Sequence, residues 1–211
     1  MIEKIHWHGH ATFRIEGTQR IYIDPWRILD DSPPADVILI SHEHYDHFSP
    51  SDIEKLLQPH TRIIAGEGVA PLVKQEFRKV ETLRAWQSLN IERINIKAVP
   101  AYTFDDYHPP KRGDVGFVIS MDYYDLYYAG DTDLIPEMRS IGCDIAILPV
   151  SAKEGMMTID HARQAVEILR PRYVIPSHYG TSEGGTRLDA LALQTAIDGL
   201  AEMVWLEALV Y

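Results

Sequence analysis

The sequence has little cysteine and little basic charge, and each shortage limits what the protein can be. Its 211 residues include one cysteine, Cys143, which cannot form a disulfide within the chain, so a reducing, cytoplasmic location is expected. Acidic side chains number 31 and basic ones 20, which gives a formal net charge of −11. Because lysine and arginine do not cluster, no nucleic-acid partner is expected.

Long apolar runs and targeting segments are also missing. No uncharged apolar run reaches the roughly 18 residues that a membrane span needs, so no membrane partner is expected. The N-terminal residues have neither the basic nor the apolar region of a secretory signal. Without a Gly-x-Ser-x-Gly elbow, a serine nucleophile is not expected. No linker divides the chain, and its length suits one domain over residues 1–211.

The sequence does contain an alternation of short strands and helices. The hydrophobic patterns predict helices at residues 50–57, 69–77, 159–169 and 187–200. They predict strands at residues 2–7, 11–16, 20–24, 37–40, 61–65, 91–101, 115–121, 125–129, 144–150, 172–176 and 203–206. Since both halves repeat strands followed by helices, the prediction is an α/β sandwich of two mixed sheets with helices outside.

The ten histidines carry the clearest functional signal, because residues 42–47 read His-Glu-His-Tyr-Asp-His directly after a buried strand. Alternate residues of an extended segment face the same way, so His42 and His44 can reach one ion. A turn can then present Asp46 and His47 to a second ion. Imidazole and carboxylate are ligands for zinc, manganese or iron. The alternative, a solvated loop rich in histidine by chance, does not explain the preceding strand.

Two further residues are candidate ligands, since a single loop does not complete two coordination spheres. Asp131 follows the strand at 125–129 and could bridge two cations, or it could cap a turn. His178 ends a buried strand in a Ser-His pair, as His42 does. An unpaired buried imidazole is costly, so His178 is either a ligand or a hydrogen-bonded core histidine.

These motifs, in this order, resemble the metallo-β-lactamase superfamily of metal-dependent hydrolases. They are the loop at 42–47, Tyr-Ala-Gly-Asp-Thr-Asp at 128–133 and Ile-Pro-Ser-His at 175–178. The stretches at 8–15 and 23–26 resemble the branch that includes ascorbate-6-phosphate lactonases. The resemblance covers essentially the whole chain. It implies the metallo-β-lactamase fold, a four-layer αββα sandwich, with one or two metal ions.

The resemblance also implies a set of ligands. His42, His44 and a third histidine would hold the first metal, while Asp46, His47 and His178 would hold the second, with Asp131 bridging. The sequence departs from the family where that third histidine is expected, because Tyr102 stands there. His108 is the nearest substitute, although a surface histidine beside two prolines is an equal account. Water could also complete the site.

Other residues are candidates for contact with a substrate. His10 is expected near the metals, either supporting a ligand or touching substrate, and Tyr102 and Tyr107 are expected to line a pocket. Three loop cations could bind an anionic group or could be plain surface charges: Lys111, Arg112 and Lys153.

The expected activity is therefore hydrolysis with a divalent cofactor, Zn²⁺ first and Mn²⁺ or Fe²⁺ as alternatives. Asp46 is the expected catalytic residue, which orients a metal-bound hydroxide and takes or returns its proton. The expected partner is a small molecule with a lactone, ester or phosphodiester bond, and a homo-oligomer is compatible with the sequence. One alternative is a diiron redox protein, although those members use glutamate where His44 stands. The other is a metal-binding protein without catalysis.

Overall fold

Two mixed β-sheets face each other in the structure, a computed structural model that describes residues 1–151, 156–181 and 184–210. In both sheets, strands that follow one another in the chain are also neighbours. The first sheet contains β1 (Ile5–Gly9), β2 (Thr12–Glu16), β3 (Arg20–Ile23), β4 (Val37–Ile40), β5 (Arg62–Gly66) and β6 (Val80–Leu83). The second contains β7 (Ser88–Ile91), β8 (Ile94–Pro100), β9 (Val115–Met121), β10 (Tyr124–Tyr128), β11 (Ile145–Pro149), β12 (Tyr173–Ser177) and β13 (Glu202–Met203).

Each sheet changes from antiparallel to parallel pairing along its width. Strands β1 to β3 pair antiparallel and β3 to β6 parallel, while β7 to β10 pair antiparallel and β10 to β13 parallel. The carboxyl ends of parallel strands lie at one edge of a sheet, where α/β folds place their ligands. The loops that carry the histidine motif, Asp131 and His178 leave β4, β10 and β12 at that edge.

Helices cover the outer faces of the sheets, which gives the predicted four-layer αββα sandwich. The helices are α1 (Pro50–Leu56), α2 (Ala70–Glu76), α3 (Ile159–Leu169) and α4 (Arg187–Ala196). Fully buried side chains such as Ile15, Leu39 and Phe117 fill the space between the sheets. Truncating one of these to alanine should cost about 2–5 kcal/mol, because the core is close-packed. Among the described residues, no helix is long and apolar enough to cross a bilayer.

The helix α3 shows how local sequence fixes an element. Thr158 caps it by accepting a hydrogen bond from the backbone of His161, and the apolar stripe of α3 is buried against the second sheet. Both ends match the prediction, because a threonine cap and the proline at 171 bound the segment. The last helix is shorter than predicted, as α4 ends at Ala196.

Two strands were not predicted, β6 and β7. Both lie at sheet edges and are mostly not buried, so their residues lack a clear apolar pattern. The predicted strand at 91–101 is in fact divided between β7 and β8. Glu92 takes a left-handed φ of 51° and turns the chain into a hairpin there.

Candidate metal centre

The seven predicted ligands meet at the edge where β4, β10 and β12 end. They form two adjoining sets, and within each set one ligand atom per residue lies within 4.8 Å of those of the other members. We call His42, His44 and His108 the first ligand group. A carboxylate oxygen of Asp131 also lies within 4.8 Å of their ligand atoms. The second ligand group is Asp46, His47 and His178, and there the additional neighbour is His10.

Asp131 lies between the two groups and presents one carboxylate oxygen to each. Its Oδ1 is 2.9 Å from Nε2 of His178 and 3.3 Å from Nε2 of His47. Its Oδ2 is 3.8 Å from Nε2 of His42 and 3.7 Å from Nε2 of His108. This side chain is therefore placed where it can bridge two cations.

Hydrogen bonds fix the ring of His42 with Nε2 facing inward. The Ser41 hydroxyl donates to Oδ2 of Asp24 at 2.5 Å, so its oxygen accepts from Nδ1–H of His42 at 2.9 Å. The proton on Nδ1 leaves a lone pair on Nε2. That Nε2 is buried and has no hydrogen-bond partner among the described residues.

His108 is held in the same way and lies in the first ligand group. The loop after β8 folds back, with the backbone of Thr103 and His108 hydrogen bonded to each other. The ring Nδ1–H donates to Asp114 at 3.1 Å, and Nε2 is buried without a partner in the described part of the chain. A histidine that donates one N–H to a carboxylate is the usual arrangement around a metal.

Tyr102, the alternative to His108 for the third position, is not part of either ligand group. Its hydroxyl donates instead to Glu137 at 2.9 Å. Burial, as the larger cause, and the Glu137 carboxylate together raise the pKa of Tyr102 to about 12. The hydroxyl therefore keeps its proton at neutral pH. His108, and not Tyr102, lies in the first ligand group.

The second ligand group is anchored on Asp24, a fully buried carboxylate that sequence reasoning missed as a functional residue. Its Oδ2 accepts from Nδ1–H of His47 at 2.7 Å and from the Tyr128 hydroxyl at 2.7 Å. The backbone N–H of Ser41 donates to Oδ1 of Asp24, and the Ser41 hydroxyl donates to Oδ2. Asp24 therefore orients His47 directly and His42 through Ser41. The only sequence signal for it was its place in the Ile-Asp-Pro-Trp stretch.

Asp46 is held by His10. The Asp46 Oδ2 lies 2.7 Å from Nε2 of His10, and Nδ1 of His10 lies 2.9 Å from the Thr181 hydroxyl. Since a carboxylate can only accept, Nε2 carries the proton and Nδ1 accepts from Thr181. Both nitrogens of His10 are thus occupied, so His10 positions Asp46 and has no free lone pair for an ion.

Several ionisable side chains in the centre have shifted pKa values. Burial, with the nearby His47, holds the pKa of His42 well below its ordinary value. Burial acts in the same direction on His47, but the carboxylates of Asp131 and Asp24 outweigh it and raise the pKa of His47 well above normal. Burial raises the pKa of Asp46, yet the hydrogen bond from His10 and the charge of His47 lower it to about 2.

The donor set fits divalent cations. Two inward-facing imidazole nitrogens, on His42 and His108, are buried and lack hydrogen bonds within the described residues. Such orphaned atoms are costly unless something else binds them. Imidazoles together with the carboxylates of Asp46 and Asp131 are ligands that zinc, manganese and iron accept.

Two further predicted residues, Tyr107 and Arg112, lie around the opening of the centre. Tyr107 is 56% exposed, and its ring centroid is 5.2 Å from that of His44. Arg112 donates to the Tyr107 carbonyl at 2.8 Å and bonds Asp114 at 3.2 Å, so it is part of the frame around His108. Lys111 is exposed, and Lys153 lies outside the described residues. Asp114 was missed because no local pattern singles it out.

Comparisons with known proteins show what this chain is similar to. The profile of a family described as "Beta-lactamase superfamily domain" matches residues 4–178. The chain is 33% identical over 193 residues to a UPF0173 metal-dependent hydrolase of Thermoplasma acidophilum, with 84% of each chain covered. It is 30% identical to one of Pyrococcus furiosus, covering 84% of this chain and 85% of that one.

A solved structure has the same architecture. It is a crystal structure of a protein from Parabacteroides distasonis, which matches with a TM-score of 0.83 and 30% identity. The match covers 97% of this chain and 92% of that chain. The two proteins therefore share the four-layer sandwich over nearly their whole length.

Proposed function

The chain belongs to the beta-lactamase superfamily as a metal-dependent hydrolase, and on that premise we propose that its centre uses two divalent ions, Zn²⁺ first. The first ligand group would hold one ion and the second ligand group the other, with Asp131 between them. The observation that supports this most is the orientation of Asp131, whose two oxygens face different groups. We also propose that residues 1–211 form one domain.

Asp46 is the proposed catalytic residue. Bound divalent ions supply Lewis acidity and bring the pKa of water to about 7. Asp46 stays ionised at neutral pH because its pKa is about 2, so it accepts a hydrogen bond from the attacking water and orients it. Asp46 would then take the proton that the water loses on attack and return it to the leaving oxygen. The N–H of His10 keeps the carboxylate in place during both steps.

The proposed substrate is a small molecule with a lactone, carboxylic ester or phosphodiester bond. A small, anionic metabolite is favoured, because the guanidinium of Arg112 lies at the opening beside His44 and Tyr107. The resemblance of residues 8–15 and 23–26 to the ascorbate-6-phosphate lactonase branch favours a lactone among the three. We propose a cytoplasmic location and no nucleic-acid partner, on the basis of the single cysteine and the net charge of −11.

Metal content tests the proposal. We would purify the wild-type chain without added metal, reload it with Zn²⁺ and measure ions per chain, then repeat this for His108→Ala. We expect about two ions falling to about one, because His108 supplies a ligand to only one of the two ions. The matched control is His60→Ala. His60 is an exposed histidine in the loop between α1 and β5, so its loss should leave the number of ions per chain unchanged. A wild-type protein that binds no metal after reloading contradicts the proposed function.

A further inference from the structure

A cavity of about 390 Å³ lies beside the second ligand group, and none of the seven predicted ligands lines it. Its walls come from four places: the exit of β1, the loop after β12, the start of α4 and the segment at 205–210. The volume is in the range that small-molecule sites occupy. The cavity is therefore large enough for part of a substrate.

One wall of the cavity is a row of aromatic rings. Trp7 stacks on Tyr179 with ring centroids 4.7 Å apart, and Trp205 meets Tyr179 edge to face at 6.1 Å. Trp7 and Tyr179 are 5% and 6% exposed, so their positions are fixed by packing. Rigid aromatic surfaces favour flat apolar groups at a low cost in conformational entropy.

The segment at 205–210 that completes this wall is tied to β1. Ala208 pairs with Trp7, and the backbone N–H of Leu209 donates to the Trp7 carbonyl at 2.9 Å. Gly9 has a φ of +100°, and a Cβ there would lie 2.6 Å from the Val210 carbonyl oxygen. The close approach requires glycine, so the cavity wall is a built feature of the fold.

Two charged side chains also line the cavity, Arg187 and Glu207. Arg187 is the first residue of α4 and has no carboxylate partner within the described ranges. A guanidinium binds a carboxylate through paired hydrogen bonds. Arg187 attracts an anionic ligand and Glu207 repels it. A carboxylate with one negative charge should therefore bind better than a phosphate monoester with two.

The cavity is connected to the proposed catalytic residue through two hydrogen bonds. Thr181 lines the cavity and donates to His10, which in turn donates to Asp46. His178, of the second ligand group, directly precedes Tyr179 of the aromatic wall. A group bound in the cavity therefore lies against His10, one hydrogen bond away from Asp46.

We propose that this cavity is the specificity pocket of the enzyme and binds a flat apolar group that carries one carboxylate. The ring lies along Trp7, Tyr179 and Trp205, and the carboxylate pairs with Arg187. This inference rests on the proposed function, which supplies the bond cleavage, but binding to the cavity can be measured without turnover.

The test is calorimetric titration of the Zn²⁺-loaded protein with phenylacetate, its neutral analogue phenylacetamide, and phenyl phosphate. We expect phenylacetate to bind about three- to tenfold more tightly than phenylacetamide, since a hydrogen-bonded charge at a partly exposed site gives a preference of this size. Phenyl phosphate should bind more weakly than phenylacetate. Tighter binding of phenyl phosphate would overturn the assignment of a carboxylate.

Two charge variants give opposite expectations and serve as controls for each other. Arg187→Gln should abolish the preference for phenylacetate, whereas Glu207→Gln should increase it. Both lie on exposed positions, and unchanged thermal midpoints would show that both variants remain folded. Trp205→Ala should weaken phenylacetate and phenylacetamide alike, because it removes part of the wall that both contact.

The outcomes separate this inference from the proposed function. Equal binding of phenylacetate and phenylacetamide by the wild type, or an unchanged preference in Arg187→Gln, overturns the pocket even if the protein holds two ions. Conversely, a chain that binds no metal but keeps the expected preference in its metal-free form retains the pocket and loses the hydrolase mechanism.

Discussion

The two ligand groups use similar side chains in different surroundings. The first ligand group lies towards the opening, where His44 is half-buried and touches the exposed Tyr107. The second ligand group lies against Asp24, a carboxylate with no exposed surface. The two groups therefore differ in how exposed their ligands are and in the buried carboxylate that holds a histidine directly, which is Asp114 for His108 and Asp24 for His47. Substitutions that act on both groups, on one group or on one hydrogen bond should separate these properties.

The largest effect is expected where the groups meet. Asp131→Ala should lower kcat/KM by about a thousandfold or more, because a barrier reduction of several kcal/mol would depend on the ions that it is proposed to bridge. Metal content should also fall below that of His108→Ala, since both groups lose a neighbour. Steady-state kinetics and metal analysis check this. Asp133→Ala is the control, because Asp133 bonds His161 outside both groups. An Asp131→Ala protein with full metal content would refute the bridge.

A second pair of variants should distinguish the groups from each other. Asp24→Asn should weaken metal binding by about 10- to 100-fold, and so should Asp114→Asn, since such carboxylates orient metal-binding histidines. Asp114 contacts only His108 among the ligands, so its effect should be confined to one ion. Asp24 contacts His47 and, through Ser41, His42, so both ions should be affected. Chelator competition resolves the two affinities. Equal loss of both ions in Asp114→Asn would contradict this division.

The two groups should also respond differently to pH. His47 has a pKa raised above its ordinary value, so an ion entering the second group must displace a proton until the pH exceeds that raised pKa. Affinity there should rise by about tenfold per pH unit over this range. His42 and His44 have pKa values lowered mainly by burial and are already neutral near pH 7. Affinity of the first group should therefore be nearly flat above about pH 6.5. Titrations at several pH values would refute the contrast if both slopes were equal.

The smallest effect is expected from one hydrogen bond. Thr181→Val keeps the side-chain shape but removes the donor to His10, and we expect kcat to fall by about fivefold for a loss near 1 kcal/mol. Metal content should not change, because neither residue is a ligand. Thr195→Val is the control, as the one hydrogen bond that its hydroxyl makes within the described residues goes to the Leu191 carbonyl on α4. If Thr181→Val lost metal instead, His10 would be acting on the ion directly.

Much of this arrangement was predictable from local sequence. The motif at 42–47 follows a buried strand, so its position at a sheet edge follows from the pattern alone. The helix α3 was predicted with its correct ends because its cap and its apolar stripe lie within one short segment. Signals of this kind are contained in neighbouring residues.

Other features depended on contacts between distant residues. Asp24 reaches Tyr128 across 104 positions of sequence, so no local pattern reveals their hydrogen bond. His108 lies in a loop of exposed and polar residues, and only the fold shows that this histidine is buried. The edge strands β6 and β7 were missed because burial, which gives strands their apolar pattern, is slight there.

The division of the ligands between the sheets bears on the order in which the protein assembles. His42, His44, Asp46 and His47 come from the first sheet, whereas His108, Asp131 and His178 come from the second. The rings of His47 and His178 meet although 131 positions separate them, and closing so long a loop is entropically slow. In the proposed centre, neither ion could have its full ligand set until both halves have docked. Metal would then bind late in folding and stabilise the contact between the two halves. Metal depletion should therefore loosen that contact first.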